Sequence, residues 1–336
     1  MTTRPNPGVQ KTPPFIPHPA SPLTLALALT LALTLALTLA LTSCAAPKAT
    51  TPAPAAVPGA PKVLAVETFL ADIAQNVAGD RLTVEALIPV GVDPHAFEPT
   101  PTDIRRVAES QVLIANGAGF ESFLQKLLEN AGAERLIIEA ATGLTSRQPQ
   151  AGEVVDADHG GIDPHFWLDP ISVIKYTENV RDGLSQADPV GKNVYAKNAE
   201  TYIGKLRELD TWITGQVQQV PEARRLLVTN HESFGYFADR YGFRIVGAVI
   251  PSVSTNASPS AKELAALTDR IRQTGAPAIF LETGANPQLA DQLAGEVGIK
   301  VVTDLYTHSV TAAGGSAPTY IDMMRINVQK IVEALK

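Results

Sequence analysis

The chain is poor in several things. It holds one cysteine, Cys44, in 336 residues, which leaves no partner for an intramolecular disulfide. Aromatic residues make up 6% and charged residues 18%, with a formal net charge of −7. No basic cluster interleaved with aromatics occurs, so nucleic acid is not an expected partner. No C-x-x-C, H-E-x-x-H or EF-hand spacing is present. Histidine is also scarce, at six residues, and their placement carries most of the information.

The N-terminal stretch reads as an export segment. Arg4 and Lys11 precede a Leu/Ala/Thr run from Leu23 to Leu41, and Leu41-Thr42-Ser43-Cys44 closes it. A basic start, an apolar run and small residues at the cut make a secretory signal. A plain membrane anchor is the alternative, since the run is near the ~20 residues of a bilayer span. Cys44, directly after the small residues, resembles a bacterial lipobox cysteine, which implies cleavage before it and lipidation of its sulfur. Residues 1–43 are thus expected to be a signal peptide. Residues 44–61, rich in Ala, Pro and Thr, are expected to be a tether with no core of its own. Both readings place the folded part outside the cytoplasm.

From Lys62 onward, short apolar runs alternate with amphipathic stretches, a pattern that predicts parallel sheets built of βαβ units. Candidate strands are Val63–Val66, Val84–Ile88, Val112–Ala115 and Leu136–Ile138, then Leu226–Thr229, Ile245–Val249, Ala278–Leu281 and Val301–Val302. Candidate helices include Asp103–Glu109 and Ser122–Asn130, then Glu232–Arg240, Ala261–Gln273, Pro287–Val297 and Thr319–Leu335. Between the two sets, Tyr195, Ala199, Tyr202, Leu206, Leu209 and Ile213 recur at helical spacing. They predict one long helix over 189–219, beginning at Pro189. The expected fold is α/β, with an N-terminal lobe (62–188) and a C-terminal lobe (220–336). Each is a small, mainly parallel sheet flanked by helices, and one long rigid helix joins them.

Four histidines share one context, just past a candidate strand. Asp-Pro-His occurs twice, as Asp93-Pro94-His95 and Asp163-Pro164-His165; His231 follows Leu226–Thr229, and His308 follows Val301-Val302. Ligands of open parallel sheets bind beyond the carboxyl ends of strands. With two such loops from each lobe, the four imidazoles can converge on one metal ion. Pro restricts its own φ and the residue before it, which aims each following His. Asp93 and Asp163 are candidates to hold a ligand ring through its second nitrogen. Thr100-Pro101-Thr102-Asp103 marks a capped helix start after His95.

These residues resemble a known family. Gly91-Val92-Asp93-Pro94-His95-Ala96-Phe97-Glu98-Pro99-Thr100, Asp163-Pro164-His165-Phe166-Trp167-Leu168-Asp169-Pro170, Thr229-Asn230-His231-Glu232-Ser233-Phe234-Gly235 and Leu305-Tyr306-Thr307-His308-Ser309 are similar to the four ligand regions of zinc/manganese solute-binding lipoproteins of ABC importers. Asn116-Gly117-Ala118-Gly119-Phe120-Glu121 fits the same pattern. The resemblance implies two lobes with a metal between them, capture outside the membrane, and handover to a permease and its ATPase. It implies His95, His165 and His231 as ligands. At the fourth position the family usually has Asp where this chain has His308. His308 is the favoured ligand; Asp304, or a site of three protein ligands, is the alternative.

Imidazole suits zinc and carboxylate suits manganese, so Zn2+ is the expected cargo and Mn2+ the second choice. A monomer is expected. A zinc hydrolase with Glu232 as base is the rival class, and surface adhesion a possible second role. Asp156–Gly161, with His159, is at most a remnant of a metal-capturing insertion and reads as a solvated loop. His18 falls in the signal segment.

Overall fold

The computed structural model describes Pro14 and residues 59–132, 134–150, 153 and 162–336. The signal segment (Pro14 excepted), Cys44, most of the tether, His18 and His159 lie outside the described residues. Among the described residues, no helix is long and apolar enough to cross a membrane.

The N-terminal lobe is built on β1 (Val63–Ala65), β2 (Val84–Ala86), β3 (Val112–Ala115) and β4 (Leu136–Glu139), in the order β2-β1-β3-β4. All of its pairings are parallel. Its helices are α1 (Thr68–Ala78), α2 (Pro101–Glu109), α3 (Leu124–Ala131) and α4 (Pro170–Ala187). A long helix, α5 (Lys192–Val217), leads into the second lobe. There β5 (Leu226–His231), β6 (Arg244–Ile250), β7 (Ala278–Glu282) and β8 (Lys300–Leu305) repeat the arrangement as β6-β5-β7-β8, again parallel. Around them lie α6 (Gly235–Tyr241), α7 (Ala261–Thr274), α8 (Gln288–Val297) and α9 (Tyr320–Leu335).

The α5 helix has 26 residues, about seven turns. The six residues whose spacing predicts it are all buried, together with Val217. They belong to one apolar core that also contains side chains of α1, α4 and α9. The helix starts three residues later than the sequence pattern suggests, because Pro189–Gly191 forms a separate 3-10 turn. Gly191 packs against the Tyr195 ring and the Arg81 guanidinium, leaving no room for a Cβ. The carboxylate of Asp188 accepts from both Arg81 and Tyr195 at this corner.

Candidate metal centre

The two Asp-Pro-His segments form the same turn. Asp93 Oδ1 accepts from the His95 N–H (2.9 Å), and Asp163 Oδ1 accepts from the His165 N–H (3.0 Å). An Asp oxygen bonding the backbone two residues on makes an Asx-turn, and the intervening Pro contributes no N–H to compete. His95 thereby sits in a 3-10 turn, Pro94–Ala96, and His165 at the start of another, Phe166–Leu168. His231 is the last residue of β5, paired in register with Ile250, so the strand reaches two residues beyond Thr229 and carries this candidate ligand on the sheet itself. His308 follows β8.

The four histidines come together. Their ligating atoms all lie within 4.8 Å of one another, and the residues are between 0% and 8% exposed. The Nε2 atoms of His165 and His231 are 3.3 Å apart. Phe120 and Trp167 line the cluster: Phe120 meets the His95 ring edge-on at 5.0 Å between centroids, and Trp167 lies 5.1 Å from His165. The Trp167 indole N–H donates to the Thr307 carbonyl (2.7 Å), tying the loop of His308 to the N-terminal lobe.

The supporting carboxylates differ from expectation. Asp163 Oδ1 does meet the His165 Nδ1, at 2.9 Å. Burial raises Asp163 to about 7, against the pull of the His165 N–H and Arg147. Asp93 spends Oδ1 on the His95 backbone and accepts from the Thr255 hydroxyl with Oδ2 (2.6 Å). It therefore joins the His95 turn to the opposite lobe. Asp304, the alternative to His308, sits at a bulge. It has φ +63°, with a break in β7–β8 register beside it, and this bulge buries Leu305 while Asp304 points outward. Its carboxylate lies 3.9 Å from Lys330 Nζ, and it is not among the grouped residues, which are the four histidines. Glu232 is half-buried on a bend ahead of α6, which begins only at Gly235, and its N–H donates to the Ser252 carbonyl (2.9 Å).

One residue absent from the sequence reading stands at the centre. Glu282 ends β7, between β5 and β8, so His231, Glu282 and His308 form a row along the carboxyl edge of the sheet. Glu282 Oε1 is 3.0 Å from His231 Nδ1, and Oε2 is 3.3 Å from His308 Nδ1. Burial pushes Glu282 up, but the two rings and Thr307 outweigh it and hold the carboxyl below the usual carboxylate range. Burial lowers His231 while Glu282 more than offsets it, for a net rise. His308 is lowered to about 4 by burial, with Glu282 opposing and His231 adding to the fall. Its one trace in the sequence is an acid at the end of the apolar run Ala278–Leu281, a pattern too common to single it out.

A cleft of about 950 Å3 opens onto the cluster from between the lobes, with Asp93, Glu282 and His308 in its wall and neither Lys nor Arg among the described residues that line it. A carboxylate-lined cleft focuses a field that favours cations.

The profile of a family described as "ZnuA: Zinc-uptake complex component A periplasmic" matches residues 63–334. The manganese-binding lipoprotein MntA of Halalkalibacterium halodurans is 34% identical over 274 residues, covering 82% of this chain and 88% of that one. The manganese ABC transporter substrate-binding lipoprotein PsaA of Streptococcus pneumoniae is 28% identical over 282 residues, with 82% and 89% covered. Among solved structures, the periplasmic zinc-binding protein TroA of Treponema pallidum superposes with a TM-score of 0.74 at 26% identity, covering 82% of this chain and 99% of that one. The Mn-bound periplasmic metal-binding protein of Candidatus Liberibacter asiaticus gives 0.73 at 28% identity, covering 82% and 100%.

Proposed function

The chain belongs to the periplasmic zinc-uptake complex component A family, and from that premise we propose that it captures Zn2+ between its lobes and delivers it to an ABC permease and its ATPase. The family is one of metal-binding solute-binding proteins of ABC importers and not of enzymes. In this reading residues 62–188 and 220–336 are the lobes, 189–219 the connector, and His95, His165, His231 and His308 the ligands. The chain acts outside the cytoplasm as a monomer, anchored by a lipid on Cys44; relatives named as lipoproteins support the anchor.

The observation that carries the reading is the buried cluster of four imidazoles. Four nitrogen donors in a closed site suit zinc, whereas manganese favours carboxylate and water. Manganese is the second reading, favoured by the names of MntA and PsaA. The four ligands also leave no position for the water that a zinc hydrolase needs.

The test is elemental analysis together with competition titration against a chromogenic chelator. The wild-type chain should bind one zinc, more tightly than manganese. His308→Ala should weaken zinc by more than the ~10–100-fold typical of losing a ligand's outer partner. Unchanged stoichiometry and affinity in that variant would reject the four-histidine site, and tighter manganese than zinc binding would replace the cargo.

A further inference from the structure

We propose that Glu282 is a positioning residue that holds two of the four ligand rings, His231 and His308, in the one tautomer able to bind metal; the inference rests on the metal-capture reading above. A neutral imidazole carries its proton on one nitrogen and its lone pair on the other, and the hydrogen bond made by one nitrogen decides the role of the other. His231 Nδ1 lies 3.0 Å from Glu282 Oε1, and its Nε2 faces the His165 Nε2 at 3.3 Å. His308 Nδ1 lies 3.3 Å from Glu282 Oε2 and 3.2 Å from the Thr307 hydroxyl oxygen. Its Nε2 is buried and meets no hydrogen-bond partner among the described residues. The Thr307 hydroxyl donates its own proton to Glu282 Oε2, so it too can only accept from His308. Both routes require Nδ1–H on His308.

The carboxylate is itself fixed. It is buried, and Oε1 also accepts from the Asn230 amide. An ionised carboxylate only accepts hydrogen bonds, which is why it can serve two Nδ1–H donors at once. An amide cannot. Glutamine at this position would present an NH2 to one ring, forcing that ring to accept at Nδ1 and carry its proton on Nε2, where the lone pair is needed. Asp163 plays the single-ring version of this role for His165 in the other lobe.

The test is ring 15N–1H NMR on the metal-free full chain, with zinc affinity measured alongside. In the wild type, His231 and His308 should both appear as Nδ1–H tautomers. In Glu282→Gln one of them should switch to Nε2–H, while His165 keeps its Nδ1–H and reports that the fold is intact. Zinc affinity should fall about 10–100-fold. Glu282→Asp, which keeps the charge but is too short to span both rings, should hold one ring and lose the other. An Nε2–H tautomer on either ring in the wild type would overturn the proposal without any variant. So would a folded Glu282→Gln that keeps both Nδ1–H signals and zinc affinity within about threefold of wild type. A wild-type chain that binds no zinc would instead defeat the capture reading and leave the tautomer result standing.

Discussion

Asp93 and Asp163 begin from the same turn and end in different uses, which marks the limit of reading single residues. The turn follows from Asp-Pro-His itself, since the side-chain oxygen two residues back reaches the His N–H in both copies. What the remaining oxygen meets depends on the opposite lobe, which is distant in sequence: Thr255 lies 162 residues from Asp93. Glu282 was hidden for a related reason. An acid at a strand end is common, and its meaning arises only when β7 is known to lie between β5 and β8. A second acid, Glu67, makes a residue-scale prediction. It is 1% exposed at the start of α1 and lies against Glu121, which is 7% exposed. Burial, then the charge of Glu121, raises Glu67 well above its ordinary value. Burial raises Glu121 to about 7 against backbone N–H groups that lower it. Between an unfolded pKa of ~4.3 and these raised values the folded chain holds more protons than the unfolded one. Stability contributed by the pair is therefore present at low pH and lost as pH rises through about 7. Glu67→Gln replaces one of the two ionisable groups by a neutral one. It should stabilise the metal-free protein at pH 8 by ~1–3 kcal/mol, the usual scale for a mismatched buried polar group, and give no gain near pH 4. Thermal melts across pH would show this, and an equal effect at both ends would contradict it.

Elements were legible in proportion to how one-sided they are. The start of α2 was plain: Thr100 accepts from the Asp103 N–H, Asp103 answers to the Thr100 N–H, and Pro101 occupies the first turn. Thr100→Ala should cost about 1 kcal/mol in urea unfolding and leave zinc stoichiometry unchanged; a loss beyond ~2 kcal/mol would mean that the cap does more than end a helix. By contrast, α1 and α4 lie outside the candidate helices. In α1, eight of 11 residues are buried, on most of its circumference, and a helix buried all round loses the periodicity that identifies it. Strand β5 runs two residues past its apolar pattern, because Asn230 and His231 are polar. They are nonetheless buried, Asn230 on Glu282 and His231 in the cluster. Strand β8 extends to Leu305 beyond its apolar pair Val301-Val302, and the Asp304 bulge interrupts it.

At the scale of the molecule, the two-lobed plan was legible from the repeated strand–helix pattern and the uninterrupted stretch between the halves. The way the halves are fastened was not. The α9 helix returns from the end of the chain to pack in the same core as α5 and α1, and the Tyr320 N–H at its start donates to Asp72 on α1 (2.9 Å). A connector buried along seven positions and braced from both lobes has no free hinge, so closure on metal must be small. X-ray scattering of metal-free and zinc-loaded protein should give radii of gyration equal within error. A compaction of the size seen when two domains swing together would rule out a rigid connector. The division of the proposed ligands gives this rigidity a further meaning. Each lobe supplies two of them, His95 with His165 and His231 with His308, so in that proposal each is half of a chelating agent. The affinity of the whole then depends on the effective concentration at which one half presents itself to the other, which α5 sets by its length and its twist. One residue added to that helix would turn the second half by about 100° about the axis and lift it ~1.5 Å, dissolving the chelate without touching a single ligand.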